Sequence, residues 1–251
     1  EQPVSASATT SPGKVHSYEG RQPYEQARAL ALDELPGILD DYARAAENAL
    51  KAGFDGVQIH AANGYLIDQF LRDNANFRTD AYGGSIENRI RLLNAVTETV
   101  VAVAGAERTG VRLSPNGASQ GVDDSNPEAV FVPAAKRLNE IGIAFLELRE
   151  PGPEGTYGNT EVPRLSPAIR KVFAGPLIVN SDYFTREDAQ AALDSGVADA
   201  VSFGRAYLAN PDLIERLKQG APLNDWDMKS WYGGGAEGYT DYPMLKDQEA
   251  A

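Results

Sequence analysis

Apolar and polar positions along the chain alternate between helical spacing and short continuous apolar runs. The segment 36–51 has helical spacing and is followed by Gly53, a residue that commonly ends helices. The next apolar run, 56–60, predicts a short strand. The helical positions of the first segment are Ile38, Leu39, Tyr42, Ala46 and Leu50.

The same alternation predicts four further strands with helices between them. These strands are 110–113, 144–148, 177–179 and 200–203. An amphipathic helix is predicted over 85–103, and another runs from Pro127, with Asn126 as N-cap, to a stop at Gly142. The remaining helices are predicted from local start signals, namely Ser166 with Pro167, Thr185, and Asn210 with Pro211.

Short, uniformly apolar strands separated by helices imply a parallel sheet that is covered on both faces. The chain offers roughly five βα units, whereas a closed (β/α)₈ barrel has about eight. An open doubly wound sheet is the competing architecture, but it usually carries G-x-G-x-x-G after its first strand, and this sequence lacks that run. Both architectures place active sites after the strand ends, and a phosphate site after the last two strands would favour the barrel.

Composition excludes several classes of function. The chain has 251 residues and a net charge of −13, with acidic residues spread along its length, which argues against nucleic acid and anionic membranes as partners. It contains no cysteine, so disulfides, iron–sulfur ligation and thiol nucleophiles are excluded within this sequence. No window approaches the ~18 apolar residues of a membrane span, and the first ten residues lack signal-peptide features, so we expect a cytoplasmic protein.

Polar residues cluster directly after the strand 56–60. If a turn or helix begins at His60, its side chain and that of Asn63 share one face, and both can donate to a single oxygen. Such a pair favours a carbonyl or nitro oxygen that gains negative charge, and Tyr65 is a nearby proton donor. The alternative is a buried structural histidine beside a surface asparagine. No metal site is predicted, because His16 is the only other histidine.

A second group of candidates follows the last strands. Gly204 permits close backbone approach and Arg205 offers a bidentate guanidinium, which together predict a phosphate site. Asn180 and Ser181 follow the preceding strand at the matching edge. A helix cap beside a surface arginine is the alternative. Arg112, at the end of its own strand, needs an anionic partner, and a flavin or another anionic oxygen would serve.

These residues belong to a longer resemblance. The run HAANGYLIDQFLRDNANFRTDAYGGSIENR, followed by GVRLSP, ADAVSFGRAYLANPDL and GGGAEGYTDYP, resembles the Old Yellow Enzyme family of FMN-dependent ene-reductases. The similarity extends from Pro3 to Pro243.

The resemblance implies specific roles for the candidate residues. His60 and Asn63 would hydrogen-bond the activating group of the substrate, and Tyr65 would protonate the alkene carbon. Arg112 would contact the flavin, and Gly204 with Arg205 would bind its phosphate. The resemblance places Tyr232, which follows Trp231, at the substrate pocket. The alternative is that both are exposed aromatic side chains that pack on the barrel. Arg78, Asp80 and Glu87 are expected to stabilise the fold.

Two departures from the family pattern affect these expectations. After the strand 177–179 the chain reads NSDYF where many relatives have a glycine-rich turn, so we expect Asp182 to point away and only the Ser181 backbone to serve the phosphate site. Relatives also begin with three further βα units. We therefore expect a single domain over 1–251 that forms the last five units of a (β/α)₈ TIM barrel, with a lid-like lead-in, 1–35, and a C-terminal extension, 221–251.

The sequence thus predicts an FMN-dependent ene-reductase that uses NAD(P)H in a ping-pong cycle on enones or nitroalkenes. The expected partner is a complementary N-terminal barrel segment, present as a separate chain or replaced by another copy. Two alternatives remain open. A cofactor-free (β/α)₈ aldolase or isomerase would need a lysine or carboxylate at a strand end. A non-catalytic fragment would bind no FMN.

Overall fold

A computed structural model describes residues 2–155 and 158–249 of the chain. The predicted domain also includes residues 1, 156, 157, 250 and 251, which lie outside the described residues. The strands are β1 (Val4–Ser5), β2 (Lys14–Ser17), β3 (Gly20–Pro23), β4 (Arg28–Ala29), β5 (Val57–His60), β6 (Thr109–Leu113), β7 (Phe145–Arg149), β8 (Leu177–Asn180) and β9 (Ala200–Ser202). The helices are α1 (Leu35–Lys51), α2 (Leu66–Leu71), α3 (Ile86–Arg89), α4 (Arg91–Ala104), α5 (Pro127–Ile141), α6 (Ser166–Arg170), α7 (Arg186–Asp194), α8 (Arg205–Ala209), α9 (Leu213–Gln219) and α10 (Leu245–Glu249).

The central sheet contains five parallel strands in the order β5-β6-β7-β8-β9. Each strand pairs with the next one in sequence, as in the register of His60 with Arg112 and of Arg149 with Asn180. A doubly wound sheet requires a reversal of strand order, and this sheet has none. Consecutive order is the arrangement of a barrel segment.

The two faces of the sheet differ in chemistry. One face packs under helices such as α4 and α5, where Val111, Leu146 and Val179 are buried. The other face carries polar side chains at alternating positions, and two of these, Gln58 and His60, are exposed. The expectation of uniformly apolar strands covered on both faces is therefore wrong. Each strand contributes few residues to the inner face of the curved sheet. The apolar runs in the sequence therefore reflect mainly the residues that face the helices.

Helix starts were predicted well where a side chain caps the helix. Asn126 accepts from the Ala129 N–H at 3.3 Å, and Thr185 accepts from the Asp188 N–H at 3.1 Å. Gly142 ends α5 in the left-handed conformation. The single helix expected over 85–103 is instead divided at Ile90 into α3 and α4.

The expected helix start at Asn210 is wrong. Helix α9 begins at Leu213, after Asp212, and a short helix that was not predicted, α8, comes before it. The Asn210 side chain instead donates to the Ala206 carbonyl at 2.8 Å and accepts from the Asn224 N–H at 2.8 Å. An asparagine side chain can cap a helix or form hydrogen bonds that hold a loop, and the sequence alone did not distinguish these two roles.

The lead-in is partly ordered as strands. β2 and β3 form an antiparallel hairpin whose residues are all exposed, where the sequence showed no periodicity. Arg78 anchors the lead-in by donating to the carbonyls of Ala6 and Leu30, while its guanidinium also bonds both carboxylate oxygens of Asp80. Glu87 is exposed in α3. Among the described helices, none combines the length and hydropathy that a bilayer span requires.

Candidate active site

The carboxyl ends of the central strands surround a cavity of about 560 Å³. That volume lies in the usual range for small-molecule sites. Eight of the ten residues predicted for the site line it, and two, His60 and Tyr65, do not. The eight lining residues are Asn63, Arg112, Asn180, Ser181, Gly204, Arg205, Trp231 and Tyr232.

His60 and Tyr65 lie together beside this cavity. His60 is the last residue of β5, and its ring centroid is 5.3 Å from that of Tyr65. Partial burial, and then the positive charge of Arg112, lowers the pKa of the His60 imidazole. The ring is therefore neutral at pH 7 and can donate one N–H while its second nitrogen accepts.

The condition that a turn or helix begins at His60 is not met, because the turn comes three residues later. His60 is still in a strand, Asn63 has a left-handed backbone with φ of 58°, and α2 begins only at Leu66. The premise that His60 and Asn63 share a helical face therefore fails, although their shared role at a substrate oxygen stays a prediction. The Asn63 Oδ1 is buried and has no hydrogen-bond partner among the described residues.

A buried network that sequence reasoning missed fixes the Asn63 turn. The Asn63 N–H donates to Ser114 Oγ at 2.7 Å, and the Gly64 N–H donates to Asp68 Oδ2 at 2.8 Å. Asp68 is in turn paired with Arg72 at 2.9 Å, and both side chains are fully buried. A side chain at Gly64 would place its Cβ 2.4 Å from the Ser119 carbonyl oxygen, so only glycine fits there. The available signal was an acid and a base four residues apart on an apolar helix.

Arg112 has protein partners on two neighbouring strands. Its Nη2 donates to Asn180 Oδ1 at 2.9 Å, and its Nε lies 3.4 Å from Glu147 Oε1. The sequence correctly indicated that this cation needs an anion, but Glu147 was missed. The available signal was an acidic residue within the otherwise apolar run FLELR.

Arg205 is fixed between aromatic rings at the opposite end of the cavity. Its guanidinium carbon lies 5.2 Å from the ring centroids of both Phe184 and Trp226. Its Nη2 is 3.5 Å from Asp182 Oδ1, while its buried Nη1 has no hydrogen-bond partner within 2–155 and 158–249. Stacking of this kind holds the plane of a guanidinium that is to recognise an oxyanion.

The expectation that Asp182 points away is wrong. Its side chain lines the cavity, faces Arg205, and accepts from the Gly152 N–H at 2.8 Å. Ser181 and Asp182 both adopt positive φ, 88° and 60°, a backbone conformation that favours glycine. The charged partner and the backbone donor make this carboxylate acceptable near an anion site.

The C-terminal extension closes the Arg205 side of the cavity. The ring centroids of Trp226 and Trp231 are 5.5 Å apart, and the buried indole N–H of Trp231 has no acceptor in the part of the chain that the structure describes. Tyr232 lines the same cavity but is 88% exposed, so it lies at the entrance. Trp231 is thus packed and partly buried, while Tyr232 is exposed on the cavity lining, and its role at a substrate stays a prediction.

The residues present fit a bound FMN. Ten buried polar side-chain atoms have no hydrogen-bond partner among the described residues, and four of them belong to residues that line this cavity. These are Asn63 Oδ1, Arg205 Nη1, Trp231 Nε1 and Arg112 Nε, of which the last lies 3.4 Å from Glu147 in an ion pair. Native proteins rarely leave such atoms unsatisfied, so those on the cavity lining are candidates for contact with a polar ligand. Arginine at both ends of the cavity favours a ligand with anionic groups.

Comparison with known proteins gives a consistent result. The profile of the NADH:flavin oxidoreductase / NADH oxidase family matches residues 1–224. Among solved structures, the old yellow enzyme homologue from Zymomonas mobilis is 61% identical with a TM-score of 0.95, and the match covers 98% of this chain and 69% of that one. Morphinone reductase in complex with tetrahydroNAD is 44% identical with a TM-score of 0.88, over 98% of this chain and 67% of its own.

A curated relative, the putative 12-oxophytodienoate reductase 10 of Oryza sativa subsp. japonica, is 45% identical over 89% of this chain and 72% of its own length. The chain spans 57–61% of the length of several further rice relatives. These matches confirm the predicted barrel segment and the predicted class of flavin and nicotinamide enzymes. The chain belongs to the NADH:flavin oxidoreductase / NADH oxidase family, and its fold is that of the matching part of an old yellow enzyme homologue.

Proposed function

We propose that this chain forms the FMN and substrate side of an ene-reductase that reduces activated C=C bonds with NAD(P)H. The observation that carries the proposal is the cavity at the carboxyl ends of the described strands, which two arginines, Arg112 and Arg205, line together with Asn63 and Asn180. FMN, when bound, supplies the hydride chemistry in a ping-pong cycle, and the protein supplies position and electrostatics.

The phosphate would be held at the Arg205 end. The guanidinium is fixed by Phe184 and Trp226 and has an unsatisfied buried Nη1, which suits a phosphate oxygen. Gly204 lacks a side chain, and the Ser181 backbone lies at the neighbouring strand end. Arg112, at the other end, would contact the flavin ring.

The substrate oxygen would be held by His60 and Asn63. A neutral imidazole and a carboxamide both offer N–H donors, which stabilise an enone or nitro oxygen as it gains negative charge. Tyr65, whose ring lies against His60, would give the phenolic proton to the α carbon. The exposed side chains of His60 and Tyr65 leave this position open to a substrate.

A complementary segment would complete the site. The two outer strands, β5 and β9, each pair on one side only within the described sheet. We propose that the βα units that longer relatives contain outside the matched span cover these edges, as a second polypeptide, as part of a longer chain or through another copy.

The aldolase alternative is less well supported. In its Schiff-base form it needs a lysine at a strand end, and among the described residues no lysine lines the cavity.

The test is binding of FMN with riboflavin as the matched ligand. Titration of the chain, with and without a fragment carrying the missing units, should give flavin absorbance between ~350 and 550 nm that remains with the protein. FMN should bind ~10–100-fold more tightly than riboflavin, because a charge-assisted bond to phosphate contributes about 1.5–3 kcal/mol. Reduction by NADPH and reoxidation by 2-cyclohexenone should follow. A colourless protein under both conditions would instead favour a non-catalytic module.

A further inference from the structure

Glu147 connects more strands of the sheet than any site residue discussed above. It lies on the inner face of β7, and its side chain is 12% exposed. Gln58 Nε2 of β5 donates to its Oε2 at 2.7 Å, and Ser202 Oγ of β9 donates to its Oε1 at 2.7 Å. Arg112 Nε of β6 lies 3.4 Å from the same Oε1. One carboxylate thus joins side chains from three other strands.

The contacts of Glu147 determine where Arg112 points. The guanidinium lies between Glu147 on one side and Asn180 Oδ1, 2.9 Å away, on the other. Asn180 is itself fixed because its Nδ2 donates to the Ser202 carbonyl at 2.9 Å. Arg112 lines the cavity and is held there by Glu147 and Asn180. Its orientation, and the part of its positive charge that is not neutralised, therefore both depend on Glu147.

We propose that Glu147 is a positioning residue that holds Arg112 at the cavity and offsets its charge, and thereby limits how strongly the site favours reduced, anionic flavin over oxidised flavin. The inference rests on the proposed function for its flavin part. Uptake of two electrons and one proton leaves the reduced ring system with a negative charge, which the positive charge of Arg112 stabilises. A carboxylate beside Arg112 opposes that stabilisation.

Glu147→Gln keeps the shape of the side chain and removes its charge. Because Arg112 is then less compensated, the midpoint potential of bound FMN should shift in the positive direction. We expect the ratio of reduced to oxidised flavin at a fixed potential to rise on the order of tenfold, which corresponds to ~30 mV for a two-electron couple.

A flavin-free measurement tests the electrostatic part separately. The charged groups that act on His60 are Arg112, which lowers the pKa of His60, and Asp68 and Glu147, which raise it. Glu147→Gln should therefore lower the pKa of His60 further, as measured by NMR titration of the ring. The chain has only two histidines, so a His16→Gln background leaves one signal.

The matched control is Glu98→Gln. Glu98 also pairs with an arginine, Arg137, at 2.6 Å, but on the outer helices, where both side chains are exposed. It should change neither the potential nor the pKa of His60. If the Glu147→Gln protein does not fold, Glu147→Asp is used in its place: the shorter arm withdraws the charge from Arg112 and should shift the potential in the same direction by a smaller factor.

The outcomes separate the two proposals. Unchanged His60 titration in Glu147→Gln, or an unchanged or negative shift in potential, overturns the role of Glu147. If Glu147→Gln lowers the pKa of His60 but the protein binds no FMN, the proposed function is overturned, and with it the flavin part of the inference. The conclusion that Glu147 offsets the charge of Arg112 then still stands.

Discussion

Asn63 owes its position to residues that never reach the cavity. Its backbone is held in a left-handed turn by Ser114, and its carboxamide is left with an unsatisfied buried oxygen. Backbone strain and unsatisfied polar atoms usually persist only where the surrounding structure enforces them, and they concentrate at functional sites. The side chain of Asn63 is thus presented by a fixed turn.

Replacing both His60 and Asn63 by alanine should abolish binding of phenolic ligands and leave FMN bound. Loss of a donor to a developing oxyanion costs ~10²–10³ in rate, so enone reduction should fall by at least that factor. Ligand-induced absorbance changes and steady-state rates measure the two effects. His16→Ala, on the exposed hairpin, is the matched control and should behave as wild type. Normal enone turnover in the double variant would remove both residues from the site.

Tyr65→Phe should separate the two half-reactions. Only reduction of the enone needs a proton at carbon, so that half-reaction should slow by ~10²–10⁴ while reduction by NADPH continues at its normal rate. Anaerobic stopped-flow absorbance follows both. Tyr18→Phe, at the fully exposed tip of the β2–β3 hairpin, controls for loss of a phenol elsewhere. If both half-reactions slowed equally, the Tyr65 phenol would have only a packing role.

The sequence pointed to residues that line the cavity where a motif places polar chemistry at the end of one strand. Asn63, Arg112 and Arg205 are such residues, and their roles stay predictions. Glu147 was not, because its significance arises from Gln58, Arg112 and Ser202, which are brought together only when the strands of the sheet align. Asp182 was placed wrongly because its two partners, Gly152 and Arg205, lie on different segments of the chain.

At the scale of elements, α2 combines an apolar helix with a fully buried ion pair. Asp68 and Arg72 are one turn apart, and Arg72 also donates to the Gly117 carbonyl at 3.2 Å. Removal of Asp68 would leave the buried guanidinium of Arg72 with the more distant carboxylate of Asp123, 3.5 Å away, which is a poor replacement for a buried partner. The same pair supports the Gly64 N–H, so the fold and the Asn63 turn share one network.

Asp68→Asn should lower the free energy of unfolding by ~3–5 kcal/mol, the usual cost of breaking a buried pair. Urea unfolding followed by circular dichroism measures it. The control is Glu47→Gln, which breaks an exposed pair with Lys51 at the same i, i+4 spacing and should cost below about 0.5 kcal/mol. Equal effects of the two substitutions would contradict a special contribution from α2.

A buried carboxyl group, that of Glu150, holds the start of α6 next to the end of β7. Glu150 is 1% exposed and accepts from the N–H groups of Leu165 and Ser166. Burial raises the pKa of Glu150, and these hydrogen bonds only partly oppose the shift. The folded state therefore binds this proton more tightly than the unfolded state does.

Stability should consequently fall as the pH rises. The contribution of Glu150 is fully present below its unfolded pKa of about 4.5 and is lost as the pH rises through the folded value. Glu150→Gln, which cannot ionise, should remove this part of the pH dependence. Urea unfolding at pH 5 and pH 8 compares the two proteins, with exposed Glu140→Gln as control. A slope that is unchanged in Glu150→Gln would mean that the group is not responsible.

Elements were predictable where their signals are local. Asn126, Thr185 and Gly142 marked helix ends correctly, because a cap involves residues within one turn. The division between α3 and α4 at Ile90 and the short helix α8 were missed, since neither carries a distinct start signal. The β2–β3 hairpin was missed because none of its residues is buried, so it leaves no apolar pattern.

For the whole molecule, the count of units and their consecutive order were the most informative properties. Five predicted strands became five parallel strands in sequence order, which distinguishes a barrel segment from a doubly wound sheet. The sequence did not predict that the inner face of the sheet is polar. Polar groups there satisfy one another across strands, and their arrangement depends on the register of the whole sheet.

The last prediction concerns the edges of this sheet. β5 and β9 are its outer strands, and the inner face next to β5 exposes Gln58 and His60. Unpaired edges of parallel strands are prone to pair with other chains. We therefore expect the chain on its own to aggregate and to bind FMN weakly, because the contacts of about three βα units are missing relative to a full barrel.

Co-expression with a fragment that carries those units should restore a yellow, active, monodisperse complex. Size-exclusion chromatography with absorbance detection gives the stoichiometry of both chains and of FMN, and 2-cyclohexenone turnover reports activity. The matched control is the same fragment co-expressed with the Asp68→Asn chain, in which the Asn63 turn loses its support next to β5. It should recover less colour and less activity. A monodisperse monomer of this chain alone, with stoichiometric FMN and full enone reduction, would contradict the prediction, since it would mean that the five-stranded sheet tolerates its open edges and holds the flavin without further strands.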